Sequence, residues 1–123
     1  MDSIEKKAIY HLKVAIKNDP QHLPSIVKLC EILVKKKSFS EAQEILNDAL
    51  SNTNKVSSFY FLQAKLYFET QNYEEAIVFI DKAIQCDSNE VRFYKLAHKT
   101  LVQSRKENQA IPYLEKLVDL CPL

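Results

Sequence analysis

One feature constrains this chain more than any other: it repeats itself every 34 residues. Stepping by that distance from Ala8 lands on Ala42, Ala76 and Ala110, and from Leu12 on Leu46, Ile80 and Leu114. The same step takes Ala15 to Ala49, Ala83 and Leu117, and Pro20 to Asn54, Ser88 and Pro122. A second series, Ile26, Tyr60, Tyr94 and then Leu33, Tyr67, Leu101, keeps the same period without insertion or deletion. A strict period of this length belongs to stacked supersecondary units, each too small to bury its apolar face alone.

Each unit reads as two helices. Tyr60, Ala64 and Tyr67 recur at spacings of four and three, as do Ala76, Ile80 and Ala83, which places each set on one helical face. The Gly count is 0, so the turns and bulges that strands need are undersupplied and helices joined by short polar links are favoured. Ser38/Glu41, Asn72/Glu75 and Asp87/Glu90 have the spacing of a capping box, which satisfies free N–H groups at a helix start. The reading is seven helices, over 3–18, 23–36, 39–52, 57–70, 73–86, 90–104 and 107–121. Links this short require antiparallel neighbours. Pro112 falls inside the last helix, where it forfeits one hydrogen bond near the start and bends the axis little.

The pattern resembles the tetratricopeptide repeat, a helix–turn–helix unit of bulky, small and aromatic positions. Residues 23–56 supply Ile26, Leu29, Cys30, Leu33, Ala42, Leu46 and Ala49. Residues 57–90 supply Tyr60, Ala64, Tyr67, Ala76, Ile80 and Ala83. Residues 91–123 supply Tyr94, Ala97, Leu101, Ala110, Leu114, Leu117 and Pro122, and residues 1–22 match the second half alone through Ala8, Leu12, Ala15 and Pro20. The resemblance implies an all-α, right-handed superhelical solenoid forming one domain over 1–123, a segment of a longer array. Departures are Gln63 at an apolar position, His98 at a small one and pointing inward, and Lys37, Gln71 and Arg105 where the family places its turn glycine.

The search for chemistry returns little. His11, His22 and His98 pair with no Cys, His or carboxylate at metal-ligand spacing, and no phosphate loop or nucleophile motif is present. No catalytic residue, metal or cofactor is expected. Cys30, Cys86 and Cys121 give neither a disulfide framework nor a zinc site, which implies reduced thiols and an intracellular, cytoplasmic setting. There is no signal core in the first residues and no apolar run that could span a bilayer. A net charge of +1 argues against a dedicated nucleic-acid binder. The run Lys35, Lys36, Lys37 reads as a solvated helix end that complements the dipole. Tyr60, Tyr67 and Tyr94 read as packing between helices and not as a base-stacking platform.

The resemblance further implies that the first helix of each pair lines a concave groove. The side chains it directs there include Val27, Glu31, Val34 and Lys35, then Phe61, Lys65, Phe68 and Glu69, then Arg92, Lys95, Lys99 and Val102. Of these, Val27, Val34, Phe61, Lys65, Phe68, Arg92, Lys95 and Lys99 are expected to bind a partner. Phe61 and Phe68 are large apolar groups the core does not claim, and the cations make the region basic. The chaperone carboxylate clamp of some family members is rejected: of Val27, Glu31, Leu62, Arg92 and Leu96 at its positions, only Arg92 fits. The expected function is a non-catalytic scaffold that binds a peptide or helix of another protein with apolar anchors and acidic character. The alternatives are an RNA-binding helical repeat or the non-catalytic arm of a larger enzyme. Surplus apolar residues on the last helix, Ile111, Leu114, Leu117, Val118 and Leu120, are expected to drive self-association.

Overall fold

The protein is known here as a computed structural model that describes residues 3–51 and 57–121. It is all-α over those residues. The helices are α1 (Ser3–Asn18), α2 (Leu23–Lys35), α3 (Phe39–Ser51), α4 (Ser57–Glu69), α5 (Tyr73–Cys86), α6 (Val91–Gln103) and α7 (Ile111–Leu120), with a 3-10 turn at Glu107–Ala110 before α7. They fall into two compact units, Met1–Lys55 and Val56–Leu123. Asn54 and Pro122, two positions of the repeat, lie outside the described residues.

From α2 to α6 the 34-residue register is the register of burial. Ala42, Ala76 and Ala110 are 1%, 0% and 1% exposed, so a larger side chain at any of them would force its helix pair apart. In the first unit Ile26, Leu29, Cys30 and Leu33 of α2 close against Ala42, Leu46 and Ala49 of α3. In the second, Ala64, Ile80, Ala83, Phe93 and Ala97 form the core. Helix α4 buries Phe59, Leu62, Gln63, Ala64 and Leu66, which spread over more than half of its circumference and leave Phe61, Lys65 and Phe68 on the rest. Gln63 is fully buried and has its partner, since no buried side-chain nitrogen or oxygen among the described residues lacks one.

Three helix ends share one device. Lys37, Gln71 and Arg105 have φ of 62°, 64° and 62°. In each turn this residue's amide donates to the carbonyl three back and the next amide to the carbonyl five back: Lys37 to Val34 and Ser38 to Leu33, Gln71 to Phe68 and Asn72 to Tyr67, Arg105 to Val102 and Lys106 to Leu101. This is the Schellman end, which closes orphan carbonyls and normally recruits glycine. The turn-glycine positions of the repeat are therefore used as the family uses them, by residues with a β-carbon.

Some expectations fail locally. Asn72 makes no side-chain cap; its amide donates to Thr70 Oγ1 instead. Asp87 ends α5, and it is Glu90 whose carboxylate accepts from the Arg92 amide and starts α6. Pro112 does not sit in a continuous helix. The chain enters through the 3-10 turn, so Pro112 falls in the first turn of α7, where an amide would be unsatisfied in any case. His98 is half-buried rather than inward, because Ala97 beside it takes the fully buried place.

Candidate functional site

Helices α4 and α6 lie side by side and run parallel. The Arg92 guanidinium stands 5.3 Å from the centroid of the Phe61 ring, and the Lys99 ammonium 5.1 Å from that of Phe68. Both contacts advance by seven residues on each helix, about two turns, so the helices keep register along the pair. The second helices repeat the scheme. Lys106 Nζ donates to Glu74 Oε1 at 3.4 Å and Tyr113 Oη to Asp81 Oδ1 at 2.8 Å, which ties the turn before α7, and then α7 itself, to α5 on the same seven-residue step.

The two phenylalanines are half-buried. Phe61 rests on fully buried Phe93, ring centroids 5.0 Å apart, and Phe68 meets Tyr73 edge-on at 5.8 Å. Their outer faces are covered by cations: Lys65, one turn along α4, joins Arg92 over Phe61 at 5.5 Å. Such contacts contribute about 0.5–1 kcal/mol each at exposed sites. Arg92 Nε also pairs with Glu90 Oε1 at 3.2 Å, and the hydrogen bonds from Arg92 hold the Glu90 carboxyl below its usual value. Lys65, Lys95 and Lys99 have no carboxylate within ion-pair distance among the described residues. Lys95 is exposed between Arg92 and Lys99 on α6.

The structure thus brings Phe61, Lys65, Phe68, Arg92 and Lys99 together. Val27 and Val34 are half-buried on α2 of the first unit, two turns apart. The floor residues Phe93 and Tyr73 were not foreseen, nor were the Glu74–Lys106 and Asp81–Tyr113 bonds. Both bonds span 32 residues, two short of the repeat, and the opposite charges of Glu74 and Lys106 at that spacing were the available signal. On the other side of α4, Tyr60 and Tyr67 pack on Phe79 at 6.2 and 5.6 Å, and Lys82 covers that ring at 4.5 Å. These tyrosines pack between helices, as the repeat register requires.

No group of three His, Cys, Asp or Glu that could hold a metal occurs among the described residues. Burial, reinforced by Glu31, pushes the Cys30 thiol up to about 11, whereas Cys86 and Cys121 are exposed. No helix among the described residues is long and apolar enough to cross a membrane.

With the helix pairs and their register in place, the chain can be set beside known proteins. A family model described as anaphase-promoting complex, cyclosome, subunit 3 (ANAPC3) matches residues 4–83. The chain belongs to the ANAPC3 family. The chain also matches solved structures of MamA. One, a crystal structure of MamA, has a TM-score of 0.76 at 19% identity, covering 93% of this chain and 67% of that one. Another, MamA 41-end from Desulfovibrio magneticus RS-1, has a TM-score of 0.79 at 19% identity, covering 94% and 66%. At such identities the likeness concerns the fold alone, and the chain spans about two thirds of the length of each. No curated protein matches by sequence. The fold is that of tetratricopeptide repeats, which typically serve protein–protein interaction.

Proposed function

We propose that this chain is a non-catalytic scaffold that holds a segment of another protein on the α4–α6 face, with Phe61 and Phe68 as anchors and Lys65, Arg92, Lys95 and Lys99 around them. The observation that carries the reading is the pair of half-buried rings under cations that lack a full set of counter-charges. A single cation over a single ring, such as Lys82 over Phe79, is an ordinary surface contact, whereas on this face two rings share three covering cations. Here they cover the largest partly accessible apolar groups of α4, in the manner of an interface core with a charged rim. Val27 and Val34 offer a smaller apolar pair on α2, read as a contact within the first unit. The function lies inside the cell, where Cys30, Cys86 and Cys121 stay reduced.

The test is selection of a random peptide library against the chain, followed by affinity measurements on the enriched peptides. Phe61→Ala plus Phe68→Ala, shown by circular dichroism to remain folded, is expected to weaken binding about thirtyfold, since an anchor contributes about 2 kcal/mol or more. Lys82→Glu, on the Phe79 side of α4 and α5, is expected to leave binding intact. Peptides that ignore the double variant and are lost on Lys82→Glu would move the site to that other side.

A further inference from the structure

We infer that the α4–α6 face takes an acidic amphipathic helix, and that its cations are covers over the two rings which the partner's carboxylates draw aside. The inference rests on the protein-binding reading above and specifies the shape and charge of the partner.

Shape comes first. Phe61 and Phe68 are seven residues apart on α4, about 10.5 Å along the axis at about 1.5 Å per residue. A β-strand returns side chains to one side every second residue, at about 6.6 or 13 Å, and misses both rings at once. A polyproline II chain returns at about 9.3 Å, roughly 1 Å short. A helix with apolar residues at i and i+7 matches because it is built on the same rise. Helix α6, parallel to α4, extends that match. Its Arg92, Lys95 and Lys99 stand at i, i+3 and i+7, so a partner helix with carboxylates at the same intervals beside its apolar stripe meets every cation.

Charge supplies the second argument. Like charges stacked along one helix face oppose each other, and among the described residues only Arg92 of this stripe has a carboxylate, that of Glu90. Glu69, exposed near the end of α4, repels acid beyond Phe68 and directs the partner's carboxylates over α6.

The third argument is the position of the cations. Lys65 and Arg92 lie on the face of Phe61, and Lys99 on that of Phe68. In the free protein they hide the rings with their stems and keep the face solvated. Once the docked partner excludes water, a carboxylate holds an ammonium or guanidinium more strongly than a ring face does. The cation therefore swings to the partner's acid, and the partner's apolar side chain takes the ring face it leaves. Anchors without acids meet covered rings, and acids without anchors gain only exposed ion pairs. Recognition needs both.

The experiment uses the whole chain and labelled peptides of about 20 residues, long enough to hold a helix, read by fluorescence anisotropy. One peptide has Leu at i and i+7 with Glu beside them. A second replaces each Glu by Gln, and a third locks the first into polyproline II with prolines. The acidic helix is expected to bind at least about tenfold more tightly than either. In the triple variant Lys65→Gln, Arg92→Gln, Lys99→Gln, the order should invert: the acidic peptide weakens and the Gln peptide strengthens on uncovered rings. Equal binding of the acidic and Gln peptides to the wild type would overturn the inference, as would an unchanged preference in the triple variant. A proline-locked peptide that binds as well would show an extended occupant. Selected peptides of other charge or shape that still depend on Phe61 and Phe68 would remove the acidic helix and keep the site. Indifference of every peptide to the phenylalanine variant would remove the site itself.

Discussion

At Lys37, Gln71 and Arg105 a residue with a β-carbon holds the left-handed conformation that glycine enters freely. The β-carbon costs about 1–2 kcal/mol there, and glycine's greater loss of freedom on folding, about 0.5–1 kcal/mol, offsets part of the gain from removing it. Gln71→Gly is therefore expected to stabilise the chain by roughly 0.5–1 kcal/mol. Gln85→Gly, at an exposed helical site, should lose about 1 kcal/mol. Urea titrations of the two variants check the pair, and a loss at both positions would contradict the left-handed assignment. These turns were legible in the sequence because the period itself points to them. The capping boxes were not, because a Ser, Asn or Asp three residues before a Glu is common near any helix start. Whether the side chain closes on the amide depends on backbone angles that spacing does not reveal. Asn72, with ψ of 70°, turns to Thr70.

Between elements, the bond from Tyr113 to Asp81 joins α7 to α5, and α7 has no fully buried side chain of its own. Burial first, and then the bond to Asp81, raise the Tyr113 hydroxyl above its ordinary value. Burial first, with Asp87 adding, does the same for Tyr94, whose hydroxyl donates to the Ser88 carbonyl at 2.6 Å. A raised folded value means that the stabilisation is complete below the unfolded tyrosine value of about 10 and is lost as pH climbs beyond it. The thermal midpoint is expected to fall above that pH. Tyr113→Phe should cost about 1–2 kcal/mol at neutral pH, as a charge-assisted bond is removed from a partly buried place, and should make the alkaline fall shallower. A wild-type midpoint flat to the highest pH would count against both bonds. At this scale the candidate site was partly legible. Phe61, Lys65, Phe68, Arg92 and Lys99 were expected on one face only through the family resemblance, and the register then explains why they meet: residues at the same interval on two parallel helices stay opposite one another. Phe93 and Tyr73 escaped because a floor depends on helix separation, which side-chain volume sets and no period records.

For the whole molecule, the number and order of the helices among the described residues were legible, because the period carries no insertion. Exposure was less so. Ile111, Leu114 and Val118 are 51%, 37% and 65% exposed, at i, i+3 and i+7 of α7, and form one apolar stripe. Leu114 holds the register position of Leu46 and Ile80, both fully buried, so its exposure marks an uncovered face rather than a surface design. On α1, Ile4, Tyr10 and Val14 are exposed likewise. Helix α1 carries Lys6, Lys7, Lys13 and Lys17 against Glu5, while α7 carries Glu115 and Asp119 against Lys116, so the α7 stripe of one copy suits the α1 face of another. Sedimentation equilibrium is expected to show an average mass that rises with concentration, and Ile111→Glu plus Val118→Glu should return it to the monomer. A constant monomer mass at high concentration would refute the pairing.

The parallel pairing of α4 with α6 has one more consequence. Both rings meet their cations because the two helices count the same number of residues between contacts. Deleting one residue between Phe61 and Phe68 would hardly alter composition, yet it would swing Phe68 about 100° around the axis and off Lys99. The face works as a ruler, and what it fixes is length. A substitution scan would pass over this property, whereas a scan of single-residue insertions and deletions along α4 would find it at every step between the two rings.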